Sequence, residues 1–145
     1  MKGITFVEII LVVALISILS LMGPVFYSRF LLQNEVANVT DQLVGSLRKA
    51  QIYAMESKQS SGWSVNYSSS AHEITLYKGA APYVAGALDE KFKVNTSVSI
   101  SGITDVSFAK ATGLPTPGSG LTITISSSGN NSKTVTINSQ GVATR

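Results

Sequence analysis

Residues 3–26 read GITFVEIILVVALISILSLMGPVF. From Ile4 to Phe26 this stretch holds a single charged residue, Glu8. An apolar run of this length predicts a membrane-spanning helix, because a bilayer core takes roughly 20 apolar residues. Glu8 departs from a plain anchor. A carboxylate at the centre of such a helix costs about 2.5–3.5 kcal/mol on insertion scales. Near the helix start the cost is smaller, yet the charge still calls for a partner, and a new N-terminal ammonium is the candidate. Gly23-Pro24 interrupts the run further on. Proline removes a backbone donor and crowds the preceding turn, so a kink or local loosening is expected there; a proline simply tolerated in a membrane helix is the alternative.

Beyond Phe26 the helical pattern continues but becomes amphipathic. Val36, Val39, Leu43, Leu47, Ala50 and Ala54 recur at spacings of three or four, with Glu35, Asp41, Arg48, Lys49 and Glu56 among or opposite them. Gly45 weakens the helix locally by about 1 kcal/mol. The helix is expected to end near Lys58 to Ser61, ahead of Gly62. From Ile4 to that point it would be about 80 Å long at ~1.5 Å per residue, so its N-terminal half is expected to protrude from a small head.

From Gly62 the apolar period switches to two. Trp63, Val65 and Tyr67 alternate, followed by Ile74 and Leu76, then Phe92, Val94, Val98 and Ile100, then Val106 and Phe108. Leu121, Ile123 and Ile125 come next, and Val135 and Ile137 close the series. Ser68–Ser70, Gly79–Pro82, Ser101-Gly102, Gly113–Gly120 and Gly129–Asn131 supply turns, and Pro82–Glu90 reads as a loop. Six or seven short strands with one apolar face each predict an antiparallel sheet or sandwich packed on the helix. The fold class is therefore α+β.

Lys2-Gly3 followed by ITFVEIILVV resembles the class III signal of type IV pilins and pseudopilins. Ile4 stands where that family most often has Phe, and the basic leader is three residues. The resemblance implies cleavage between Gly3 and Ile4 by a prepilin peptidase, N-methylation of Ile4, and assembly through Glu8, the fifth residue of the mature chain. Thr5, Phe6, Gly23 and Pro24 fall in the same assembly segment; Thr5 would either bond near the charge pair or cap the helix start. It further implies a leader over 1–3, an assembly helix over 4–28 and a pilin head over 29–145, with an amphipathic helix to about 60 and strands from 62. A secretory signal peptide and an ordinary signal anchor are the rival readings; the first lacks a clear cleavage site after the run, and the second leaves Glu8 unexplained. Val106-Ser107-Phe108, Gly113-Leu114-Pro115, the strands at 121–123 and 135–137, and Gly141-Val142 resemble the C-terminal pattern of GspH/FimT-like minor pilins, as does Arg48-Lys49-Ala50-Gln51.

Composition closes off other classes. Hydrophobic residues make up 44% and charged residues 13%, and the net charge of +3 falls to +2 once Lys2 is removed, too weak by itself to argue nucleic-acid binding. There is no cysteine, hence no disulfide and no thiolate metal site. His72 is the single histidine, Asp89-Glu90 reads as a solvated loop, and neither a nucleophile elbow nor a phosphate loop occurs. No enzyme, metal or cofactor is expected. Lys110, Lys133 and Arg145 could form a basic strip; since some FimT-like pilins bind DNA, a receptor for DNA or a surface ligand is the rival function, and a membrane-anchored binding protein outside any filament is a third. Asn38, Asn66, Asn95 and Asn130 each begin an Asn-X-Ser/Thr sequon.

The resemblance thus implies a subunit of a type IV pilus or type II secretion pseudopilus. It would be held in the cytoplasmic membrane with its head outside, then moved by an assembly ATPase and membrane platform into a surface or periplasmic filament of like or related subunits.

Overall fold

Helix α1 runs Phe6–Met55, 50 residues or about 75 Å of helix. The computed structural model describes residues 3–118, 120–128 and 131–145; the side chains of 21–26 lie outside that description. Gly23 and Pro24 do not end α1, whose backbone is helical through both. The chain divides into two compact units, Met1–Leu31 and Leu32–Arg145.

In the second unit all six residues of the predicted helical stripe, Val36 to Ala54, are buried, and Val44 joins them. They meet the inward faces of two antiparallel sheets in one core. The strands are β1 (Trp63–Ser68), β2 (Glu73–Lys78), β3 (Glu90–Lys93), β4 (Val98–Ser101), β5 (Asp105–Phe108), β6 (Pro115–Thr116), β7 (Leu121–Ser127), β8 (Ser132–Ile137) and β9 (Ala143–Thr144). One sheet has the order β3-β2-β1-β5-β6, the other β4-β7-β8-β9. Seven of these strands stand where alternation placed apolar residues. The other two, β6 and β9, have two residues each, too short to show a period, and Pro115 lies in β6 at a sheet edge, where a missing N–H costs no ladder bond.

The helix stops earlier than expected, at Met55 rather than near 58–61. Two donors take the Ala54 carbonyl there: Ser57 N–H at 3.0 Å and, from the β5–β6 connection, Ala111 N–H at 2.8 Å. A short 3-10 turn over Lys58–Ser60 follows. The Trp63 indole N–H donates to the Lys58 carbonyl at 3.0 Å, and Lys58 Nζ lies 3.4 Å from the centre of the Tyr53 ring. The end of the helix is thus set by a local bond from Ser57, which leaves the helical region at φ 51°, together with these tertiary partners.

The two sheets are finished differently on their outer faces. In the β4-β7-β8-β9 sheet, inward Val98, Ile100, Ile123, Ile125, Val135, Ile137 and Ala143 are buried, while the alternate positions are all hydroxylic. Ser99 pairs with Ser126 across the sheet and Thr136 with Thr144, their oxygens 3.0 and 2.9 Å apart. In the other sheet the central strand β1 is buried on both faces. Segment 79–89 folds over its outer side: Ala81 N–H donates to Ser107 Oγ at 2.9 Å, Ser64 Oγ donates to the Gly79 carbonyl, and Tyr83 stacks edge-on against Tyr77 with ring centres 5.0 Å apart.

Leu47→Ala should lower stability by about 2–5 kcal/mol, the usual range for a cavity in a closed core. Ile52→Ala, at a position 48% exposed, should stay within about 0.5 kcal/mol. Urea denaturation of the detergent-purified chain checks this, and equal losses for the two variants would contradict the packing of α1.

Candidate assembly site

The helix starts where Thr5 can cap it. Glu8 N–H donates to Thr5 Oγ1 at 3.3 Å and to the Thr5 carbonyl at 3.1 Å. Thr5 therefore stands as an N-cap of α1. Glu8 is the third residue of α1, and Thr-X-X-Glu is the spacing of a capping box. A negative charge in the first turn also meets the positive end of the helix dipole, a gain of about 0.3–1 kcal/mol.

One flank of Glu8 is apolar. Ile4, Ile9, Val12 and Val13 line one side of the helix with it. Ile4 is 75% exposed and Phe6 77%, and the large apolar residues from Val7 to Leu19 are also exposed, so no face of this segment is polar. The two serines in it hide their hydroxyls: Ser17 Oγ donates to the Val13 carbonyl at 2.7 Å and Ser20 Oγ to the Ile16 carbonyl at 2.8 Å. A segment whose two serine hydroxyls bond within the helix, leaving one carboxylate in its first turn, suits an apolar surrounding in which that carboxylate finds a partner. Among the described residues no helix is long and apolar enough to cross a membrane. The expectation of a single-pass helix thus rests on the sequence, where the apolar run continues through 21–26. Gly3 is exposed and precedes the helix; Met1 and Lys2 of the expected leader lie outside the described residues, as do the surroundings of Gly23 and the side chain of Pro24.

At its other end the helix is tied to both sheets by three residues whose partners the sequence did not disclose. Arg48 donates to the Ala143 carbonyl of β9 at 3.2 Å, and Lys49 pairs with Glu90 of β3 at 2.6 Å. Gln51 Nε2 donates to the Gln140 carbonyl at 2.7 Å and the Gly113 carbonyl at 3.4 Å. Gly141 makes that approach feasible: it has φ +83°, and a Cβ on it would stand 2.7 Å from Gln51 Nε2. No family model and no curated protein matches the chain. Its structure, however, is similar to the crystal structure of the type IV minor pilin FimU of Pseudomonas aeruginosa (strain PAO1), with a TM-score of 0.60, 17% identity, and coverage of 74% of this chain and 90% of that one. The fold is that of a type IV pilin.

In this pilin fold the three basic residues of the expected strip stand on different sheets. Lys110 follows β5 in one, while Lys133 lies in β8 and Arg145 follows β9 in the other; Arg145 is ion-paired with Asp41 of α1. His72 sits at φ +47° in the β1–β2 hairpin, and its carbonyl accepts Val94 N–H at 2.7 Å. No group of three or more potential metal ligands occurs among the described residues.

A polar network under segment 79–89 was not foreseen. Asp105 Oδ1 accepts the Tyr77 hydroxyl at 2.8 Å and Asn66 Nδ2 at 3.2 Å, while Tyr83 donates to Asp89 at 2.8 Å. Burial, and then the bond to Asp105, push the Tyr77 hydroxyl above the usual tyrosine range. The bond to Asp89 raises Tyr83, that to Glu73 raises Lys91, and that to Glu90 raises Lys49.

A folded-state pKa above the unfolded value means that the native chain holds its proton longer. The contribution of Tyr77 is thus fully present below pH ~10 and is lost as pH rises from there toward the folded value. The other three groups act in the same direction. The midpoint of urea unfolding should therefore fall steeply above pH ~10. Tyr77→Phe should cost about 1–3 kcal/mol at neutral pH, because Asp105 loses a donor, and should flatten the alkaline slope. An unchanged slope in that variant would show that Tyr77 does not govern it.

Proposed function

We propose that this chain is a structural subunit of a type IV pilus or a type II secretion pseudopilus-like filament, assembled through α1 after prepilin peptidase cleaves between Gly3 and Ile4. The observation that carries this reading is a helix segment apolar on every side with one carboxylate in its first turn, on a chain with the pilin fold. Before assembly the segment is held in the cytoplasmic membrane with the head outside. An assembly ATPase and a membrane platform then transfer it into a bundle of like helices from the same or related subunits.

Glu8 directs that transfer. Cleavage leaves an ammonium on Ile4, and opposite charges about 4 Å apart at an effective dielectric of ~20 attract by about 4 kcal/mol. That gain is comparable to the penalty of about 2.5–3.5 kcal/mol for a lone charge in the bilayer centre. A subunit whose Glu8 meets an ammonium, in its own chain or a neighbour's, is favoured over one left unpaired, so the pair selects both entry and register.

Intact-mass measurement of the chain from native membranes or sheared fibres, with N-terminal peptide mapping, should give a start at Ile4 carrying one methyl group. A retained Met1, or cleavage after the apolar run, would sink the proposal. The two roles open to Glu8 are separable, because glutamine also serves in a capping box. Glu8→Gln should keep the helix start but abolish incorporation into sheared filaments, whereas wild-type incorporation of that variant would leave Glu8 as a cap alone.

A further inference from the structure

Three of the four sequons fall within the described residues, and the fold treats them differently. Asn38 is exposed, but it lies inside α1, and its partner hydroxyl, that of Thr40, is fully buried and donates to the Val36 carbonyl at 2.6 Å. Asn66 is 8% exposed in the central strand β1, paired on both sides, and its Nδ2 is committed to the Thr104 carbonyl at 3.0 Å and to Asp105. Neither can offer an amide nitrogen and a neighbouring hydroxyl together without unfolding. Asn130 lies outside the described residues.

Asn95 meets each requirement. It is exposed, outside both sheets, in the turn that joins β3 to β4 and is closed by Val98 N–H donating to the Asn95 carbonyl at 2.9 Å. Its Oδ1 accepts both the N–H and the hydroxyl of Ser97, each at 3.0 Å. Two donors on that oxygen draw electron density out of the amide and make its N–H more acidic. Nδ2 has no hydrogen-bond partner among the described residues, so the nitrogen is free while the sequon hydroxyl is already seated beside the amide.

We propose that Asn95 is an acceptor for N-linked glycosylation, taking a sugar from a lipid diphosphate carrier by the action of a glycosyltransferase. The Nδ2–C1 bond forms as the bond from C1 to the diphosphate oxygen breaks. The carrier diphosphate leaves with the bonding pair, one amide proton passes to a base of the transferase, and nothing is oxidised or reduced. β3 and β4 are edge strands of their respective sheets, so a glycan on the turn between them stands next to two open edges and hinders strand addition by other chains.

The test uses the full chain, folded in detergent, with a purified transferase that requires only Asn-X-Ser/Thr and a lipid diphosphate oligosaccharide, followed by site-resolved mass spectrometry. It does not depend on filament assembly, so its failure leaves the filament reading untouched. The Asn95 peptide should gain the oligosaccharide mass and the Asn38 and Asn66 peptides should not, although free synthetic peptides of all three sequons are accepted. Ser97→Ala should cut occupancy at Asn95 at least tenfold, and Ser97→Thr should preserve or raise it. An unmodified Asn95 in the folded chain, or equal modification of Asn38 or Asn66, would overturn the proposal.

Discussion

Burial of one helical stripe is the constraint on which the head depends. Val36, Val39, Leu43, Leu47, Ala50 and Ala54 lie within 19 positions of α1 and are covered by both sheets in a single core. Each large side chain so buried is worth about 1.5–3 kcal/mol. The ion pair of Lys49 with Glu90 is partly exposed on both sides, and such pairs contribute about 0–1 kcal/mol. Stability therefore lies in the stripe. The polar ties of Arg48, Lys49 and Gln51 add direction instead, linking the helix to an edge strand of each sheet and to the two glycine turns at 113 and 141. Ala50, between them, is small enough for both sheets to close over the helix.

The same helix carries an opposite surface nearer its start. There the apolar residues are exposed, and the serine hydroxyls bond within the helix. Glu8 has two physical reasons to be where it is. Its spacing from the Thr5 cap and the helix dipole both favour a carboxylate in the first turn, and an ammonium on Ile4 would favour it more strongly. The roles are compatible, because the first concerns how the helix begins and the second what it meets once assembled.

The two sheets show how the head uses polar residues in place of disulfides. One exposes a face of serine and threonine hydroxyls, some bonded to each other across strands. The other is covered by segment 79–89, whose polar contact with Ser107 and stacking of Tyr83 on Tyr77 close over a group in which Tyr77 and Asn66 are buried and Asp105 is half-buried. Burying such groups is tolerable because each finds a partner.

What the sequence determined alone is what local period and composition encode. The apolar run with Glu8, the six stripe positions and the seven alternating strands were legible because side chains three or four apart share a helix face and those two apart share a strand face. Even the Thr5 cap lies three residues from its partner. Tertiary structure decided whatever joins distant residues. Arg48 meets Ala143 across 95 positions, Lys49 meets Glu90 across 41, and Tyr77 meets Asp105 across 28. Ala111 reaches the carbonyl of Ala54 where the helix ends, and Asn95 differs from Asn38 and Asn66 in what the fold packs around each. No periodicity carries such pairings, since a hydrogen bond depends on position in space and the sequence records only order along the chain.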